Sequence, residues 1–291
     1  MIAAVRPRRS VLYMPASNPR ALEKAKGLGA DAFILDLEDA VAPDAKELAR
    51  AQAAEAAKAG FGRREVIIRV NALSTLWGEA DLAAAVAAQP DAVLIPKVST
   101  PGELHAVEER LARLRAAPGI ALWAMIETPL AILNAGAIAS AGGRLSCLVM
   151  GTNDLVKEMN AQHMPDRANL WAALSLSVAA ARAHGLAIVD GVFNAIQDAA
   201  GFELACAQGR AFGFDGKTLI HPTQIDPANR AFAPSEADVA DARKIVAAFA
   251  LPANQGKGAI ALDGRMVELL HAETARRTLA LADAIAVLES A

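Results

Sequence analysis

Residues 31–41 read DAFILDLEDAV, a short apolar run from Ala32 that passes through Asp36 and Leu37 straight into Glu38 and Asp39. A segment this brief and this apolar fits a strand buried on both faces, as in parallel sheets, with its last side chains emerging at a polar rim. Working outward, runs of the same kind recur at Val11 to Pro15, Val66 to Val70, Ala92 to Pro96, Ala121 to Ile126, Cys147 to Met150, Ala187 to Val192 and Phe214 to Ile220. Between them lie alanine-rich stretches, such as Asp44 to Lys58 and Glu103 to Arg115, whose charges gather on one helical face. The alternation gives βαβ units, and eight of them close a (β/α)8 TIM barrel. An open doubly wound sheet is the competing arrangement, but no G-x-G-x-x-G follows the first run. The barrel is therefore expected over residues 1–225 and an appended segment over 226–291. In that segment a helix is expected over 235–248, then a hairpin turning at Asp263-Gly264 within 259–266, then a helix to the C-terminus. It would serve as a lid or an oligomer contact.

The composition excludes several classes. Of 291 residues, 54% are hydrophobic and 21% charged, which is incompatible with general disorder. A net charge of −3 provides no field for nucleic acid. No apolar run nears the roughly 20 residues of a membrane span. The opening MIAAVRPRRS lacks the apolar core of a secretory signal, so a soluble, cytoplasmic protein is expected. Cys147 and Cys206 form no metal or redox spacing and read as core thiols.

A barrel's chemistry sits where its strands end. There the chain places Asp36, Glu38 and Asp39 after the second run, Arg69 at the third, Lys97 after the fourth, Glu127 after the fifth and Asp154 after the sixth. Five carboxylates at one rim would raise one another's pKa unless a cation neutralised them. All are oxygen donors, which suits Mg²⁺, with Mn²⁺ possible, better than zinc. Glu127 and Asp154 are the expected ligands, and Asp36, Glu38 and Asp39 the residues that hold metal-bound waters. The competing reading makes these acids helix caps or partners of Lys97 and Arg69. Arg69 would stabilise an oxyanion or enolate, or pair structurally with Asp36 or Glu38. Lys97 is expected to act electrostatically rather than as a Schiff-base lysine. Arg20 and Lys24 follow Ser17-Asn18-Pro19, a capped helix start, and would bind phosphates or stay solvated.

These residues also carry a resemblance. RRSVLYMPASNPRALEKA, DAFILDLEDAVAPDAK, IIRVN, LIPKV, MIETP, GTNDL, DGVF, GFDGKTLIHPTQI and GKGAIALDGRM, in that order, make the chain resemble the citrate lyase β-subunit-like branch of the HpcH/HpaI aldolase superfamily. The resemblance implies a TIM barrel, a Mg²⁺ site, coenzyme A thioester and 2-oxoacid substrates, and a homotrimer or homohexamer. It implies aldol or Claisen-type cleavage of a 3-hydroxyacyl-CoA such as malyl-CoA or citramalyl-CoA. The alternatives are a malyl-CoA thioesterase, a CoA-independent pyruvate aldolase, or a non-catalytic CoA-binding subunit. It further implies Glu127 and Asp154 on the metal, Arg69 polarising the substrate oxygen and Arg20 on a CoA phosphate. Glu268 stands where the family commonly has a lid aspartate, assigned as catalytic acid/base and supplied by a neighbouring subunit.

Overall fold

The computed structural model describes residues 5–290. Eight parallel strands close into a barrel in chain order: β1 (Ser10–Pro15), β2 (Ala32–Asp36), β3 (Glu65–Arg69), β4 (Ala92–Ile95), β5 (Ala121–Ile126), β6 (Leu145–Met150), β7 (Ala187–Asp190) and β8 (Gly216–Leu219). Closure is made by β1 on β8, with Val11 opposite Thr218. Strand residues alternate between the lumen and the surrounding helices. Val11, Ile34, Ile67, Leu94, Trp123, Cys147 and Val189 fill the lumen, while Leu12, Phe33, Ile68, Val93 and Leu148 join the helices in a second, outer core. Full burial of each such aliphatic side chain contributes about 1.5–3 kcal/mol.

The lumen is stoppered below by Arg8, whose guanidinium lies 4.9 Å from the Trp123 ring and 2.7 Å from Glu65. Sharing the outer layer are Asp190 and Lys217, the latter donating at 2.8 Å, with Arg167 gripping the same carboxylate at 2.7 and 2.8 Å. Burial alone would push the Asp190 carboxyl up, but Lys217 and Arg167 more than offset that and hold it below its ordinary value.

Among the described residues the chain divides into two compact units, Arg8–Phe232 and a second built from residues 233–290 together with residues 5–7. The division thus falls later than 225. The helix Ile225–Phe232 belongs with the barrel because Asn229 bonds Ser10 Oγ at 2.7 Å and the Gly29 carbonyl at 2.9 Å. In the second unit the helix Glu236–Ala250 starts on a Ser235 capping box. The antiparallel pair β9 (Ala259–Leu262) and β10 (Arg265–Glu268) turns at Asp263-Gly264 with φ of 49° and 78°, as a two-residue hairpin turn requires. The helix Leu269–Glu289 follows.

Candidate active site

Lumen-facing positions at the strand ends assemble the site, because alternation carries Tyr13, Asp36, Arg69 and Glu127 inward above the last apolar layer. Arg69 is 6% exposed and donates from Nε and Nη2 to the two oxygens of Asp36, each at 2.6 Å. Its face lies 4.8 Å from the Tyr13 ring. Nη1 stands 2.8 Å from Glu38 Oε2 and 3.8 Å from Asp39. Arg69 is therefore the structural partner of Asp36, and its Nη1 edge, which also donates to Met125 Sδ at 3.6 Å, is the part not engaged by Asp36.

The same geometry corrects the role expected of Asp36. Its Oδ1 also accepts the backbone N–H of Glu38 at 2.9 Å, and Oδ2 that of Ala40 at 3.1 Å. Each oxygen already has two donors, so none of its capacity is left for metal-bound water. Asp39 projects mostly into solvent. Glu38 differs: it is buried, and its Oε2 has no aligned hydrogen-bond donor among the described residues. Burial pushes its carboxyl up to about 8, with Arg69 pulling against that and the nearby Asp39 and Glu127 adding to it.

Glu127, 1% exposed, follows β5 and accepts the backbone N–H of Lys97 on Oε1 at 2.7 Å. Burial, reinforced by Asp154, pushes its carboxyl up to about 7 against the opposing Lys97 N–H bond. Asp154 lies not at a strand end but in the first turn of the helix Thr152–Glu158, whose N-cap is Gly151. A Cβ on Gly151 would fall 2.4 Å from both Cβ and Oε2 of Glu127, so only glycine lets β5 and this helix start approach. Lys97, in left-handed backbone at φ 53°, places its Nζ 2.9 Å from Asp154 Oδ1. The two expected ligands thus meet through one lysine.

These residues fit a hard divalent cation. Glu127, Asp154 and Glu38 offer only oxygen, and Glu38 Oε2 is a buried acceptor with no aligned hydrogen-bond donor, only the ion-pair contact with Arg69. No group of three or more His, Cys, Asp or Glu converges among the described residues. A pair of carboxylates completed by water or substrate is the usual way Mg²⁺ is held.

Two residues escaped the sequence reading. Tyr13 signals itself only as the chain's single tyrosine, at an inward position of β1. Lys46 looked like a surface position of a helix, yet it is buried and donates to the carbonyls of Leu37 at 2.8 Å and Glu38 at 2.7 Å and to Asn71 Oδ1 at 2.9 Å. Asn71 in turn donates to Asp81 at 2.6 Å, which accepts from Arg50 at 2.7 Å. This network ties the loops after β2 and β3 together.

Arg20 is exposed on the helix Pro19–Ala25, whose Asn18 cap and Pro19 start are as the sequence suggested. Glu268, in the C-terminal unit, caps its own helix in a box with His271.

A (3S)-malyl-CoA thioesterase of Cereibacter sphaeroides is 52% identical over 98% of both chains. The citrate lyase subunit beta of Escherichia coli is 35% identical, covering 98% of this chain and 96% of that one. The solved structure of CitE from Mycobacterium tuberculosis, in complex with magnesium, acetoacetate and coenzyme A, superposes with a TM-score of 0.74 at 30% identity. It covers 95% of this chain and 98% of that one. The family model described as HpcH/HpaI aldolase/citrate lyase matches residues 9–222. With that match spanning most of the barrel, and relatives that run nearly its full length, the chain belongs to the HpcH/HpaI aldolase/citrate lyase family.

Proposed function

We propose that the protein is a Mg²⁺-dependent hydrolase of a malyl-CoA-type 3-hydroxyacyl-CoA thioester. The observation that carries this is the buried carboxylate of Glu38, whose Oε2 has an ion-pair contact with Arg69 at 2.8 Å but no aligned hydrogen-bond donor. The similarity to a (3S)-malyl-CoA thioesterase supports it. Mg²⁺ held by Glu127 and Asp154 would supply the Lewis acid that polarises the substrate carbonyl. Arg69 Nη1 donates to a substrate oxygen, its fork fixed by Asp36 so that no reorientation is needed as charge develops. Glu38 Oε2 accepts a proton from water while the water oxygen bonds to the thioester carbon. The C–S bond then breaks, and the proton passes to the departing CoA sulfur, leaving an acid and a thiol. Arg20 meets a CoA phosphate. Glu268 exchanges protons from a neighbouring subunit of a homotrimer or homohexamer, as the family resemblance implies.

A second reading, carbon–carbon cleavage to acetyl-CoA and a 2-oxoacid, is favoured by the similarity to citrate lyase β subunits. There Glu38 or Glu268 would instead take the proton of the substrate's 3-hydroxyl. Incubation with Mg²⁺ and (3S)-malyl-CoA separates the two, with products identified by mass and thiol release. Free CoA with malate is the expected result, acetyl-CoA with glyoxylate supports the second reading, and no turnover would overturn both.

A further inference from the structure

The rim carries three basic side chains, and they are used differently. Arg69 is spent on Asp36, and Lys46 on buried carbonyls. Lys97 alone of the three has a side chain well exposed to solvent, 41% against 8% for Arg69. Its backbone N–H holds Glu127, and its Nζ holds Asp154. A non-glycine residue at φ 53° is strained, and the strain sits where one residue must serve both carboxylates.

We propose that Lys97 is a built-in competitor for the metal: its ammonium fills the cation position beside Asp154 in the metal-free protein and sets magnesium affinity by having to leave. The proposal rests on the reading that Glu127 and Asp154 bind magnesium. An ammonium 2.9 Å from Asp154 Oδ1 occupies a place a divalent ion would need, and the two positive charges repel at that range. The exit is easy, because a strongly hydrated ammonium on a flexible stem that is already part-exposed loses little by swinging into water. The N–H bond to Glu127 belongs to the backbone, so metal binding can release the side chain while the strand end stays in place.

Calorimetric titration of the metal-free protein with MgCl₂ tests this. Lys97→Met keeps the backbone N–H and should bind magnesium about two- to fivefold more tightly, the range for removing a part-exposed ion pair. Lys97→Arg, which keeps the charge beside Asp154 on a less hydrated fork, should bind no more tightly than the parent. If Lys97→Met unfolds, Lys97→Gln takes its place with the same expectation. Equal or weaker binding by the uncharged variants, with the parent binding normally, overturns the role of Lys97 alone. Failure of parent and variants alike to bind magnesium overturns the metal reading beneath it.

Discussion

At the scale of single residues, the site is governed by two close contacts. Arg69 holds a carboxylate that water does not reach, and a lysine cannot reproduce a two-pronged bond. Arg69→Lys should lower turnover by about 10²-fold, and leaving one Asp36 oxygen without its charged donor should cost roughly 1–3 kcal/mol in urea unfolding. Gly151 is the other contact. Gly151→Ala would drive a methyl group into Glu127, displacing that carboxylate. Turnover should fall by ~10²-fold, with a loss of about 1–3 kcal/mol in thermal unfolding and a native circular dichroism spectrum. The positions of Asp36, Arg69 and Glu127 were legible in the sequence because a strand's inward positions and its end can be counted from the apolar run. That Asp36 would be saturated by Arg69 together with the Glu38 and Ala40 N–H groups was not, since the pairing depends on the lateral register that sets Asp36 beside Arg69 across β2 and β3.

Secondary-structure elements show a similar split between what pattern reveals and what proximity decides. Every barrel strand was visible as an apolar run, with ends matched to within two residues. Phe214 and Asp215, for example, precede β8, although the Asp215 backbone N–H already bonds the Ile188 carbonyl in the approach to the strand. Lys46 was invisible as a clamp because its partners come from two other loops, brought beneath it only when the helix Lys46–Ala59 docks. Replacing it strands two carbonyls and Asn71. Lys46→Met should destabilise the protein by about 2–4 kcal/mol. Turnover should fall more than KM rises in steady-state kinetics, because the displaced loop carries Glu38 rather than a distant binding contact.

For the whole molecule, the barrel with its C-terminal addition followed from counting runs, whereas the boundary did not, because the tie from Asn229 to Ser10 joins residues far apart in the chain. Stability in acid should report on the outer layer. Asp190 is held below its unfolded value of about 3.8 by Lys217 and Arg167, so the folded state binds its proton less readily than the unfolded state. Its contribution is complete above about pH 4 and disappears as pH falls through the native value. Urea midpoints measured between about pH 2 and 6 should drop steeply at the acid end, and Asp190→Asn should flatten that limb while lowering stability throughout. The separation of the lumen from the layer beneath the helices has a broader meaning. The two cores share only the strand backbones, so they form nearly independent compartments for sequence change. A lineage could exchange aliphatic residues under its helices, adapting to heat or cold, while the catalytic mouth received only what the peptide framework transmits. Drift could proceed on the outside of such a wall without retuning the reaction on its inside.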